Sequence, residues 1–527
     1  MSTRTGLLEK QSKTALHIRV GTAFTIRNQL RTSIATVQAS VDNKDLLNDY
    51  MQQFFDSAIT DAQKRSREKT VIFGDADDPS RTRAFAKLLF DHQIKTYPLE
   101  SDQQLNGTMY KAGTAYQVPL QQEQYRMVST MFDPVTSFHD SVFYDASAWT
   151  VAMAYNMPYS FSNNVLPSNA NAIDASHFEV KENNIKKSNY AYLIDWRDYE
   201  AAAALYQLLD AGLFVKTAFR PFSITTDQGL QDFGRGTLLV SVADQIHPAD
   251  EVYNKMLTAF AKSTVPVYTV TSGASKSGID LGSGNFRAIE KPKALMLIGD
   301  GTSSYETGEI WHLLDTRLHM PVSKVYTRNF DYLDLRKYNT MILTTGRYSN
   351  LGKEGIEKIK AWVNAGGKLI CSRGGTAWAI RKGLTDARFL KTETEEAAPV
   401  RSNFENAREE RGSYATGGSI YQTDLDITHP LGFGMTRRDL PVYRNHNNFV
   451  QPMEDPYSTV IQYDVNPLLG GYVHPDNLKK ISGSASLLAD RQGDGHVILF
   501  VDNPNFRGFW YGTNKLFFNA LFFGGLY

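Results

Sequence analysis

The sequence predicts an α/β fold in which doubly wound parallel sheets carry most of the chain. Three observations predict it. Short apolar runs stand where buried strands would, in KALMLIG (293–299), TMILTTG (340–346) and KLIC (368–371). Amphipathic helical patterns fill the gaps, as in EGIEKIKAWVNAGG, where Ile356, Ile359, Trp362 and Val363 share one face and Gly366-Gly367 ends the helix. The same strand–helix–strand alternation recurs upstream, between Lys69 and Val270. A parallel sheet is covered on both faces, so its strands are apolar throughout and its crossovers are helices.

The elements before this core divide the chain. At 527 residues it is too long for one core, and a prior of roughly 150 residues per domain suggests about three. Residues 1–66 read as a strand, GLLEKQS (6–12), followed by two helices. Ile26, Leu30, Ile34, Val37 and Val41 form the stripe of the first, and Leu47, Met51, Phe54, Phe55 and Ala58 that of the second. One strand and two amphipathic helices cannot close a core of their own, so a helical arm packed on the next domain is expected.

Residues 67–285 form the second region. KTVIFG (69–74) is a strand, Asp77-Asp78-Pro79-Ser80 supplies caps, and 81–92 is a helix with Phe85, Leu88 and Leu89 inward. IKTYPL (94–99) is the strand after it. Between 107 and 170 the pattern is irregular and aromatic-rich, consistent with packed loops around one helix near 122–131. YAYLIDW (190–196), a helix over 199–210 with its stop at Gly212, and LFVKTAF make one unit. GTLLVSV (236–242), a helix over 249–262 and VPVYTV (265–270) make another. The small residues of SGASKSGIDLGSGNF (272–286) mark a flexible domain boundary. The last domain, 286–527, contains a charged insertion (391–416) expected on the surface. GHVILFVDNP (495–504) is its final core strand, and an apolar closing helix covers 512–523.

Composition excludes several classes. Lys+Arg and Asp+Glu are both 56, so no global field recruits nucleic acid or an anionic membrane. The 42% hydrophobic content suits globular domains. No apolar run approaches the roughly eighteen residues of a membrane span, and MSTRTGLLEKQ has no apolar signal core. A single cysteine excludes an internal disulfide and a cysteine-based metal cluster.

GLLEKQS followed by GTAFTIRNQLRTSIATVQA (21–39) resembles the last strand and last helix of a zinc carboxypeptidase domain of the carboxypeptidase A type, in particular large bacterial members with a long C-terminal extension. YQVPLQQEQYRMVSTMFDP (116–134), FYDASAWTVAMAYNM (143–157), GEIWHLLD (308–315) and NFRGFWYGTNKLFFNALFFG (505–524) resemble that extension. The resemblance implies that 1–66 is the remnant of a carboxypeptidase domain and that the complete protein hydrolyses C-terminal peptide bonds with zinc. It places Glu9 at the general-base position, although Leu8-Glu9-Lys10-Gln11 is one residue short of the family spacing. It also implies a peptide substrate and a periplasmic or secreted setting. The last domain resembles class I glutamine amidotransferases, which are flavodoxin-like.

The chemistry expected of this chain alone is limited. Zinc hydrolysis needs three protein ligands and an open position for water, and no histidine here stands in a His-x-x-Glu spacing. His247-Pro248-Ala249-Asp250 reads as a helix start, and His312-Leu313-Leu314-Asp315 as a local hydrogen bond within a helix. No metal is therefore expected in this chain, which by the resemblance lacks zinc ligands lying further upstream and is inactive alone. Amidotransferases activate a cysteine in a tight strand-to-helix turn. Cys371-Ser372-Arg373-Gly374-Gly375 ends a strand, but Leu369 replaces the family's glycine and no His-x-Glu follows, so a buried, inert cysteine is expected. Gly299-Asp300-Gly301 is a lone G-x-G, explained by a tight turn. The strand ends nevertheless line the crevice where such sheets bind ligands, and Asp300, Arg373 and Asp502 are the polar residues expected there. Two alternatives to the peptidase reading follow: a non-catalytic ligand- or partner-binding amidotransferase-like module, and a cysteine hydrolase using Cys371.

Overall fold

The computed structural model of the protein describes residues 22–65, 68–140, 142–143, 146–164, 171–180, 184–391 and 403–527. The chain separates into two compact units, Met1–Ser66 with Gln121–Tyr125, and Arg67–Leu120 with Arg126–Tyr527. The expected strand 6–12, with Glu9, lies outside the described residues.

In the first unit the two predicted helices are Thr22–Asp42 and Lys44–Gln63. The periodicity was sufficient to form them, but the first helix buries nothing. Its stripe is open to solvent, with Ile26 63% and Val41 66% exposed.

The second unit begins with a four-stranded antiparallel sheet. Thr70–Gly74 lies at its centre between Ala115–Pro119 and Tyr159–Ser162, with Tyr97–Pro98 at the edge. Asp78 caps the following helix, Pro79–Asp91, its Oδ1 accepting from the Arg81 amide at 3.1 Å. Phe85 turns inward as predicted and meets Phe73 and Phe132 edge-on, with ring centroids 5.0 and 5.6 Å apart.

The next sheet corrects one expectation while keeping the α/β class. Its main strands are Ala191–Ile194, Lys216–Ala218, Leu238–Ser241 and Val267–Val270, and every neighbouring pair is antiparallel. Each strand–helix–strand unit does join two strands that run the same way. The two units interleave, however, so a strand of the other unit lies between the partners of each. The spatial order, counted in sequence, is 4-1-3-2, a split β-α-β arrangement. Alternation of strand and helix fixes the direction within a unit and leaves open whether its strands are neighbours. The stretch 272–286 is also pinned rather than loose: Ser277–Gly278 pairs with Phe222–Ser223, and the Ser275 amide donates to Asp280 Oδ1 at 2.8 Å.

The last sheet holds nine strands: β1 (Ala294–Ile298), β2 (Ser323–Tyr326), β3 (Thr340–Leu343), β4 (Lys368–Ser372), β5 (Ser419–Leu425), β6 (Asp439–Arg444), β7 (Thr459–Gly470), β8 (Ala485–Gln492) and β9 (Gly495–Phe500). Their order is β2-β1-β3-β4-β9-β8-β7-β5-β6. The first five in that order are mutually parallel. Counted among themselves they run 2-1-3-4-5, the flavodoxin-like order. The other four extend the sheet antiparallel. Helices α1 (Ser304–His312), α2 (Gly352–Asn364), α3 (Gly374–Arg381) and α4 (Tyr511–Phe523) flank the parallel part. Ile359 and Val363 of α2 join Leu295, Leu343, Leu369 and Val497 in one core. The closing helix α4 is buried along its whole length, with its polar side chains partnered: Lys515 Nζ donates to the Arg197 carbonyl and Asn519 Nδ2 to the Leu431 and Phe433 carbonyls. The described end of the charged insertion includes the short helix Ala407–Ser413, which buries nothing.

Candidate functional site at the strand ends

The order 2-1-3-4-5 puts the topological switch between β1 and β3, where such sheets open a ligand crevice. Here the two loops are laced together. The Ser303 amide donates to the Thr345 carbonyl at 2.7 Å, and the Arg347 amide to the Gly301 carbonyl at 2.9 Å. Ser303 caps α1, its hydroxyl accepting from the Glu306 amide at 3.3 Å. That capping geometry carries the buried Glu306 carboxylate into the crevice. It accepts there from the Thr345 amide and from Arg373 Nη1, both at 2.9 Å. Asp300 stays outside: its side chain is 81% exposed, and its ion pair is with Arg328 at 3.8 Å.

Strand β4 turns into α3 through a single residue, Arg373, at φ +48° and ψ −109°. This is a strained strand-to-helix turn of the kind that holds catalytic nucleophiles outward. The glycines that follow are dictated by closeness. A Cβ on Gly375 would lie 2.4 Å from the Leu343 carbonyl oxygen, and one on Gly374 2.6 Å from Thr345 Cγ2. The turn therefore carries a guanidinium, bound to Glu306 and, through Nη2, to the Asn445 carbonyl at 3.2 Å. Cys371 lies two residues earlier, inside β4 and fully buried. Burial pushes its thiol pKa far up, so the thiolate that chemistry would need is suppressed.

Asp502 follows β9 and is buried among four donors. Tyr463 and Ser486 hydroxyls donate to Oδ2 at 2.6 Å each, and Arg444 Nη1 and His446 Nε2 approach Oδ1 at 3.2 and 3.1 Å. Burial pushes the Asp502 carboxyl upward, but Arg444 beside it and its hydrogen bonds win and hold it below the ordinary value. His446 is pushed the other way, down to about 4, by burial first and the Arg444 charge second. Its Nδ1 accepts from the Asn448 amide at 3.1 Å, which assigns the proton to Nε2 and gives Asp502 a donor. Both ring nitrogens are committed, leaving no site for a general base. Because Arg373 bonds Asn445 and His446 bonds Asp502, one loop connects two of the three residues expected at the crevice; the third, Asp300, is apart.

Sequence reasoning missed Glu306, Arg444, His446, Tyr463 and Ser486. The signal available was the cluster RNHNN (444–448) directly after the apolar pattern of β6. Glu309 completes the rim. Burial raises its pKa, and it accepts from Asn503 Nδ2 and the Arg507 amide, both at 2.7 Å. Among the described residues no group of three or more His, Cys, Asp or Glu side chains could hold a metal ion. His247 stands at a helix start, as expected, with Nδ1 2.8 Å from Glu251 Oε1.

No protein-family model and no curated protein matches the chain. Among solved structures the chain is similar to a candidate GMP synthase A subunit from Thermoplasma acidophilum, at 10% identity over 44% of this chain and 94% of that one, TM-score 0.28. It is also similar to a cytoplasmic protein from Salmonella typhimurium, at 11% identity over 44% and 99%, TM-score 0.28. A candidate ThuA-like protein from Bacteroides uniformis matches at 10% identity over 43% and 88%, TM-score 0.26. None of these carries a function to this chain, and none is a carboxypeptidase. The carboxypeptidase resemblance is accordingly withdrawn. With it go the general-base role of Glu9, the zinc and the peptidase reading. What the strand order defines is a flavodoxin-like α/β domain.

Proposed function

We propose that the last domain is a non-catalytic ligand- or partner-binding module of amidotransferase-like fold. The observation that carries this reading is the occupant of the strained turn. Arg373 takes the position from which a nucleophile would act, and a guanidinium can bind an oxyanion but cannot attack a carbonyl. Two further features support it. Cys371 is sealed in the core, and His446 has no free nitrogen. Fold alone does not supply the activity.

The test is a pair of assays on the full chain. Glutamine and p-nitrophenyl ester hydrolysis should be at background in wild type and in Cys371→Ser alike. Thermal-shift screening against short peptides and sugars should give stabilisation that Arg373→Ala removes. Hydrolysis lost on Cys371→Ser, in a variant that keeps its unfolding temperature, would falsify the proposal.

A further inference from the structure

A second cleft, of about 280 Å³, shares no lining residue with the Arg373–Asp502 crevice. It lies where the starts of helices Pro79–Asp91 and Ala201–Asp210 meet the turn after α1 and the closing helix α4. That volume is just below the range of small-molecule sites, about 300–1,000 Å³.

Its floor is a tyrosine stack. Tyr511 lies parallel to Tyr155 at 4.4 Å and tilted against Tyr199 at 4.7 Å. Over the Tyr511 ring, 4.3 Å from its centre, sits the Arg317 guanidinium. The backbone is distorted to put it there. Residues Leu313–Arg317 form a π-helical turn continuing α1, and His319 just beyond it is left-handed at φ +54°. Two unfavourable conformations within seven residues are costly, and π-bulges concentrate at functional sites.

The cleft's charges are unbalanced. Arg317 rests on aromatic rings and makes no ion pair with a carboxylate among the described residues. Lys262, on the facing rim, likewise has no ion pair among them. The only carboxylate in the lining, Glu200, is engaged: its Oε2 accepts from the Thr264 amide at 3.3 Å and its hydroxyl at 3.2 Å. A half-buried cation placed over a π face, hydrogen-bonded to the Tyr199 hydroxyl but paired with no carboxylate, is prepared for an anion brought from outside. Gln207 and Ser263 on the walls offer partners to hydroxyl groups.

We infer that this cleft binds a small organic oxyanion, a carboxylate or phosphate monoester on a hydroxylated ring of monosaccharide size. The anionic group lies between Arg317 and Lys262, and the ring's hydroxyls face Gln207 and Ser263. Titration calorimetry of the full chain tests this with D-glucuronate, glucose 6-phosphate and inorganic phosphate as probes. At least one organic probe should bind saturably, with the preferred arm showing whether carboxylate or phosphate is the group recognised. Arg317→Gln should weaken that binding at least about tenfold, and Lys262→Glu, on the exposed rim where folding is not at stake, by a similar factor. The inference is overturned if neither organic probe saturates, or if Lys262→Glu binds as wild type does. It is equally overturned if inorganic phosphate binds as tightly as the organic probes, which would mean an adventitious ion only.

Discussion

Replacing His446 by glutamine should flatten the acid dependence of stability, and the structure sets the size of the change. His446 is held neutral by burial and by Arg444, with its pKa brought from 6.5 down to about 4. In the unfolded chain the ring takes up a proton as pH falls below 6.5, whereas in the fold it does so only near 4. Between those values the unfolded state binds more protons, so stability falls as pH is lowered. The contribution is complete above 6.5 and stops declining below about 4. A difference of 6.5 − 4 = 2.5 pK units, at about 1.36 kcal/mol each, gives roughly 3 kcal/mol. Glutamine does not titrate. Its amide can still donate to Asp502, so the variant starts about 1–2 kcal/mol less stable at neutral pH and ends about 1–2 kcal/mol more stable near pH 4, where wild type has lost its roughly 3 kcal/mol. Thermal unfolding followed by near-ultraviolet circular dichroism reads this directly. At about 2–4 °C per kcal/mol, for a cooperative unit of about 150–250 residues, the difference between the two melting temperatures should change by roughly 6–12 °C and reverse its sign. His429, also pushed down to about 4, titrates in both proteins and cancels in the difference. Parallel curves from neutral pH to pH 4 would refute the reasoning.

Three other outcomes are expected. Arg444→Met should cost about 3–5 kcal/mol in urea unfolding, because it leaves the buried Asp502 carboxylate without its cation; a loss below about 1 kcal/mol would show the pair to be dispensable. Arg373→Gly should be more stable than Arg373→Ala by about 1–2 kcal/mol, since both lose the Glu306 ion pair and only alanine keeps a Cβ at positive φ. Equal melting temperatures would place the strain elsewhere. Cys371 should resist Ellman's reagent in the native chain at mildly alkaline pH and react at once in denaturant, in keeping with its full burial.

Legibility in the sequence followed how local each feature is. Four strands of the last sheet, β1, β3, β4 and β9, were readable because residues such as Leu295, Met341 and Leu369 sit in unbroken apolar runs, and the helix 352–364 because Ile359 and Val363 recur at its period; β2 and the antiparallel β5 to β8 were not read. Nor was the interleaving of the two middle units. Nothing within Ala191–Ile194 states that Leu238–Ser241 will lie beside it, running the other way. At the site, Arg373 and Asp502 could be placed from strand ends alone. The four donors around Asp502 come from β6, the loop after it, β7 and β8, and only the folded sheet brings them together.

The turn at Arg373 shows how geometry and chemistry separate. A residue with a side chain pays for positive φ, and at a catalytic elbow that cost is commonly attributed to presenting a nucleophile. No nucleophile is presented here, yet the turn persists, so other contacts must hold it. They are visible: the Arg373 amide donates to the Phe500 carbonyl at 2.9 Å, and Thr376 Oγ1 donates to the same oxygen at 2.6 Å. Gly375 meanwhile lets α3 approach β3 so closely that any Cβ would strike the Leu343 carbonyl. The elbow thus follows from seating a helix hard against two parallel strands, and whichever residue falls at its apex inherits both the strain and the view into the crevice. In this chain that residue is an arginine tied to Glu306, which converts a position suited to attack into one suited to holding charge.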